Sequence, residues 1–413
     1  MMKRCVFNAS PSNAGCRAQA KLERVLACDG MNRNKRGQTS LAVPPRASSI
    51  GLNTYESGRG VCSQECSRFD TGARETFVLL ALAAIVILVP AVSGAQEDRV
   101  AQLAKEVGGK GWIAFAARGE NGTWDLFLMR PDGSERRNVT NTPDHEEGGP
   151  RFSPDGKRLL YRRFAKGTVI SHDLWGFQGN LVIAQADGSN PVQIGGDREF
   201  PWASWSPDGK QIACLSQKGI QIVDLETKKV VRELPRKGIY QQLFWSPDGQ
   251  WFCGVANARI MWTVVRMNAQ TGEVNIVHEF QSCTPDWFPD STHVIFPCRP
   301  AGQDGYGFTQ LWMGKGDGTD AKMIYGEDGY HIYGGALSPD GKYVLFTRCP
   351  EDGGGSEKSG APICVMRMED APAIHGPSVA LRKVHPDAKD ATVLQLVEGW
   401  EPCWTYAETG AQK

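Results

Sequence analysis

The sequence predicts an all-β fold, a six-bladed β-propeller closed by its own C-terminal strand, on three observations. One short pattern returns five times: "FSPDGKRLLYRR" at 152–163, "WSPDGKQIACLS" at 205–216, "WSPDGQWFCGVA" at 245–256, "WFPDSTHVIFPC" at 287–298 and "LSPDGKYVLFTR" at 337–348. The residues that open these copies, Phe152, Trp205, Trp245, Trp287 and Leu337, stand 53, 40, 42 and 50 positions apart, near the period of four-stranded propeller blades. Each end of the patterned region holds half a unit: "WIAFAAR" at 112–118 lacks a strand before it, and "EPCWTYAE" at 401–408 lacks one after it.

Each copy codes for a β-hairpin. Proline fixes φ and ends the first strand, aspartate bonds its own backbone, and glycine accepts the positive φ that reverses the chain. A second hairpin follows each first one, from Asp125, Asn180, Gly219, Trp262 and Gln310. Two hairpins per period make four strands, which is one blade. The half-units at 112–118 and 401–408 then complete one another and close the ring, so that no strand edge is left open. The propeller is predicted over 111–408, with 409–413 as a tail. Hydrophobic content of 41% with 47 Gly and 24 Pro among 413 residues suits such a turn-rich chain.

The N-terminal part differs in character. Residues 1–76 hold 12 Lys+Arg against 6 Asp+Glu, leaving 34 against 40, net −6, for the rest of the chain. That acidic body argues against nucleic acid as a partner. Residues 1–76 are polar, basic and without periodic pattern, predicting disorder, and an over-extended start would explain them. The stretch "FVLLALAAIVILVPAVSGA" at 77–95 has an apolar run, Phe77–Val92, shorter than a comfortable membrane span and close to a signal-peptide core. Cleavage after Ala95 is one expectation. An uncleaved anchor with the basic segment inside the cell is the other, and gives the only expected membrane contact. Residues 96–110 read as a linker.

The five turn copies and the terminal half-repeat resemble the WD40-like Pro-Asp repeat β-propellers, the TolB-like family, over residues 111–408. The resemblance implies a propeller and an envelope location. The α/β domain that precedes the propeller in that family has no counterpart in residues 96–110.

Five cysteines, Cys5, Cys16, Cys28, Cys62 and Cys66, fall before the apolar run without zinc-type spacing, and seven fall in the propeller. Export would permit disulfides. A two-residue turn at Asp290-Ser291 places Cys283 opposite Cys298, and Cys349 with Cys364 flanks a Gly-rich loop. Both pairs are bridge candidates, with buried free thiols as the alternative.

No Gly-x-Ser-x-Gly elbow, His-Glu-x-x-His, P-loop or zinc-type cysteine pair is present. Site candidates therefore come from geometry. The loop before each innermost strand should rim the channel on the face away from the Ser-Pro-Asp-Gly turns. Six residues before each of these five opening residues, and before Trp404 in the terminal half-unit, taken as the anchors, stand Glu146, Glu199, Ile239, Gln281, His331 and Glu398. Converging carboxylates call for a cation: Glu146, Glu199, His331 and Glu398 would suit Ca²⁺, or Mn²⁺ through His331 or His145. A solvated acidic rim is the plainer reading. The loop 165–180 adds His172 and Asp173 as ion ligands and Trp175 as a platform for a sugar or peptide, or as a tucked loop anchor. No cofactor beyond such an ion is implied.

The function expected is an exported, periplasmic or extracellular, non-enzymatic scaffold of the cell envelope that binds a protein, peptide or polymer through rim and channel. The rival is a metal-dependent carbohydrate-active enzyme, a polysaccharide lyase or hydrolase, with its site in the channel.

Overall fold

A computed structural model describes residues 96–168, 179–234, 239–258, 261–278, 282–299, 309–327, 330–350, 360–371, 374–375 and 391–409. Almost all of these lie in one compact unit that includes Asp98–Lys413, and the description concerns that unit.

The described strands form five antiparallel sheets. Three have four strands each, beginning with His145–Phe152, Trp202–Trp205 and Ile239–Trp245. A fourth begins with Asp286–Trp287 and has five, because Ile374–His375 adds to the edge of Lys322–Tyr325. The fifth sheet has seven strands and contains both the first and the last strand of the chain. In every sheet the residue pairing follows the hairpin order of the repeats, as in Phe152↔Leu159 and Leu159↔Ala184.

This corrects the expectation of six separate blades behind an apolar helix. The structure has four blade-sized sheets and one merged seven-stranded sheet. The physical cause is one long strand, Val393–Thr405. Its first half pairs with Ala361–Arg367 and its second half with Trp112–Arg118, so no sheet edge separates the last repeat from the first. Among the described residues no helix is long and apolar enough to cross a membrane. The segments 1–76 and 77–95, including the five N-terminal cysteines, lie outside the described residues.

The turns form as their residues dictate. In the first copy Ser153 Oγ donates to Asp155 Oδ1 at 2.5 Å and accepts from Arg158 N at 3.0 Å, while Lys157 N donates to Asp155 Oδ1 at 3.1 Å. The same three bonds recur around Asp208, Asp248 and Asp340. Gly156 adopts φ 68°, and Ser291 holds the equivalent conformation, φ 56°, in the copy that lacks the glycine.

The core lies between the sheets, where Trp124, Trp312, Tyr161, Phe252 and Phe296 are fully buried. Residues 96–107 form a helix whose Leu103 and Val107 are buried against Ile113, Phe115, Leu345 and Trp404. Glu106 of this helix accepts from Arg367 Nη2 at 2.6 Å and from the Tyr343 hydroxyl. The helix therefore clips together strands from both ends of the chain. Trp404 Nε1 adds a bond to Lys110 O at 2.7 Å.

All seven propeller cysteines are buried and none forms a disulfide, which corrects both expected bridges. Cys364 faces Phe346 in the ladder, three positions from Cys349. Three residues of strand span about 10 Å and reverse the side-chain direction, beyond disulfide reach. In the other hairpin Cys298 pairs with Ser282, one place short of the register kept by Asp286↔Ile295. That one-residue shift takes Cys283 out of facing position.

Candidate functional site

The inner strands of neighbouring sheets touch one another around a central channel. Each of five carries the same irregularity three residues before its anchor. Gly149, Gln242, Thr284, Gly334 and Glu401 all have positive φ, from 36° to 67°. The pairing register slips at these places, between Gly148 and Arg151, Gln241 and Phe244, and Tyr333 and Ala336. An extra residue in a strand bends it and re-aims the side chains beside it. Three of the five are followed by proline, Pro150, Pro285 and Pro402, which has no N–H to lose from the interrupted ladder.

The re-aimed side chains enclose a cavity of about 40 Å³ whose wall includes Arg151, Gln242, Thr284, Asp286, Tyr333 and Glu401. Arg151 Nη1 donates to Pro150 O at 2.7 Å and to Glu401 O at 3.2 Å, and its guanidinium lies 5.2 Å from the Phe244 ring centre. Gln242 Oε1 accepts from Thr284 N at 2.7 Å, tying two bulges together. Behind them Arg162 is buried, its guanidinium 4.8 Å from the Trp202 ring centre. Burial draws the Arg162 pKa down to about 9, with the Glu401 carboxylate opposing and Arg151 adding to the fall. A methyl group at Gly149 would come within 2.9 Å of Glu401 Oε2, so glycine there serves both the positive φ and the closeness of the carboxylate.

Asp286 is half-buried, and the loss of solvent around its carboxyl pushes it up to about 6 against the attraction of Arg151. The buried thiol of Cys403 is raised to about 11, which denies it the thiolate form that nucleophilic chemistry needs. The channel wall thus holds the Arg151 guanidinium, two carboxyl groups and aromatic faces in a small volume, with the Arg162 guanidinium buried behind it. Such a wall can recognise polar groups strongly, because charges there are poorly solvated.

The residues expected to form the site stand in several settings. Glu146 is buried, with Oε2 accepting from Trp124 N at 2.7 Å and Oε1 from Gly167 N at 2.9 Å. It fastens one sheet to the next. Glu199 is exposed and accepts from Gly196 N at 2.7 Å within its own turn. His331 is buried and stacks on Tyr333 at 5.3 Å, Glu398 is exposed opposite Pro362 on the long strand, and half-buried His145 pairs with Ala165. Among the described residues no group of three or more His, Cys, Asp or Glu is gathered as a metal site. His172, Asp173, Trp175 and Gln281 lie outside the described residues.

Sequence reasoning missed Arg151, Asp286 and Glu401. A signal for them exists in "PRF", "PDW" and "EPCW", where proline stands two places before the anchor in three units.

No family model matches the chain. Over 146 residues it is 24% identical to the uncharacterized peptidase YuxL of Bacillus subtilis, covering 35% of this chain and only 20% of that relative's length. Among solved structures, TolB from Acinetobacter baumannii superposes with a TM-score of 0.53 at 17% identity, over 72% of this chain and 67% of the other. The β-propeller domain of the Trilobed protease from Pyrococcus furiosus gives 0.38 at 15% identity, over 62% and 77%, a likeness too slight to carry an argument. Sheet arrangement and structural likeness agree that the chain has a β-propeller fold similar to that of TolB.

Proposed function

We propose that this chain is an exported, non-enzymatic β-propeller scaffold that recognises an envelope protein or peptide through its central channel. The observation that carries the reading is the bulged inner wall, which aims Arg151, Asp286 and Glu401 into one enclosed cavity without an activated nucleophile beside them. A cavity of about 40 Å³ has room for little more than a water-sized group. A partner would therefore present a side chain or chain end, not a whole sugar ring. Export is supported by the apolar run Phe77–Val92 with small residues after it.

Random peptides displayed on phage and panned against the full chain test this. Enriched peptides should lose binding to Glu401→Gln and Gln242→Ala and keep it with Val231→Asp, a change on an exposed outer strand. Enrichment of nothing above scrambled controls, or binding that only Val231→Asp disturbs, would defeat the reading.

A further inference from the structure

The turn face of the propeller carries a second cavity. Prolines of the repeated turns, Pro154, Pro207, Pro247, Pro289 and Pro339, converge on a space of about 370 Å³. Between them lie the rings of Trp205, Trp245 and Trp287. Each indole N–H is already spent, on Arg151 O at 3.1 Å, Gly249 O at 3.0 Å and Phe244 O at 3.2 Å. What remains for a ligand is apolar ring surface and the faces of Trp245 and Trp287, since the Arg158 guanidinium lies 4.6 Å from the Trp205 ring centre.

Asp286 borders this space and the channel cavity alike. Its Oδ1 accepts from Trp287 N at 2.8 Å. Among the described residues no side-chain donor reaches it, because Arg151 directs its hydrogen bonds to the carbonyls of Pro150 and Glu401. A carboxylate without a side-chain donor, in the wall of an apolar, aromatic recess, complements one ligand chemistry: a cation on an apolar stem. Trp faces attract cations, proline and tryptophan cover methylene groups, and a poorly solvated carboxylate gains most from a charge-assisted partner. The mouth keeps a small excess of the matching sign, since the turns carry Asp155, Asp208, Asp248, Asp290 and Asp340 against Lys157, Arg158, Lys210 and Lys342.

We infer that the turn-face recess docks a lysine side chain presented by an extended peptide, with the methylene stem between the proline and tryptophan walls and the ammonium paired with Asp286. This rests on the scaffold reading and names the partner chemistry of one mouth of the same channel. The raised pKa of Asp286 agrees with a carboxylate built without a permanent counter-ion, since a bound cation would lower it.

The test is a tryptophan-fluorescence titration of the full chain with two acetylated, amidated pentapeptides, Ala-Ala-Lys-Ala-Ala and the same peptide with norleucine for lysine. The lysine peptide should bind about 30-fold tighter, the loss expected when one partner of an enclosed charge pair is removed. In Asp286→Asn the preference should vanish. That variant replaces a poorly solvated charge by its neutral isostere and should fold. Equal affinity of the two peptides for the unaltered protein overturns the inference, as does a preference that survives in Asp286→Asn or an absence of any binding. Phage-selected peptides that need Glu401 and Gln242 but show no lysine preference would sink this inference while leaving the scaffold reading intact.

Discussion

Asp208 and Asp286 belong to equivalent units of one repeat, yet they meet opposite surroundings. Asp208 accepts from Ser206 Oγ at 2.6 Å and from Lys210 N at 3.0 Å, and these bonds hold its carboxyl below the ordinary aspartate value. Asp286, one residue before its anchor, has only a neighbouring backbone N–H, and burial holds its carboxyl up at about 6. The turn ring satisfies its aspartates locally, with the same Ser-Asp pattern in four copies and through Thr292 and His293 at Asp290 in the fifth. The inner wall leaves the Asp286 carboxyl with a backbone N–H and no side-chain donor among the described residues. The first pattern builds the fold, and the second equips a place where something else can supply the missing partner.

The largest effect that can break this contrast is at the closure. Truncation after Gly399 removes Trp400, Cys403 and Trp404, all buried, together with the ladder partners of Trp112, Ile113 and Ala114. Loss of one large buried aromatic costs about 3–5 kcal/mol, and two approach the whole stability of an ordinary domain. The truncated chain should show no cooperative unfolding transition by circular dichroism. A transition at the full-length temperature would mean that the turn ring holds the fold without its seam.

The next effect separates local turn geometry from contact with the tail. Gly156 and Gly122 both have positive φ, 68° and 75°. A Cβ at Gly156 would stand 2.3 Å from Ala407 Cβ and 2.5 Å from Thr405 Oγ1, whereas one at Gly122 meets nothing within 4 Å. Gly122→Val should therefore cost about 1–2 kcal/mol for the backbone alone. Gly156→Val adds overpacking of about 1–3 kcal/mol. Urea midpoints measure the gap, and equal midpoints would show that the C-terminal strand does not press on the first turn.

These examples also show what could be read in advance. The turns were legible because Ser, Pro, Asp and Gly each do one local job, and the pairing of 112–118 with the tail was legible because two half-units lacked partners. The merged sheet was not, since nothing in "VLQLVEGWEPCWT" announces that one strand of thirteen residues serves two repeats. The channel residues escaped because Gly149, Gln242, Thr284, Gly334 and Glu401 share a backbone conformation but no side-chain type. Counting back from the anchor assumed a regular strand, and a bulge breaks that count. Glu146 shows the consequence: a residue placed on the rim by counting is a buried fastener between sheets.

The smallest effect tests the two aspartates directly, through pH. Asp286 titrates near 6 in the folded chain against an ordinary 3.8, so the folded state binds its proton more tightly than the unfolded state does. Its cost to stability is absent below pH 3.8, grows between 3.8 and about 6, and is complete above 6. Asp286→Asn removes that cost. The variant should match the parent at pH 3.5 and exceed it at pH 7.5 by about 1–2 kcal/mol, less than the full shift because the carboxylate borders open cavities. Asp208 has the opposite sign: its depressed pKa stabilises the fold above 3.8, and that contribution is lost as pH falls through and below this value. Asp208→Asn should therefore lose stability at pH 7.5 and approach the parent in acid. Urea unfolding at the two pH values reads both. If Asp286→Asn were the destabilised variant at pH 7.5, the attraction of Arg151 would outweigh burial, Asp286 would already have its counter-ion, and the contrast between the turn ring and the inner wall would fail.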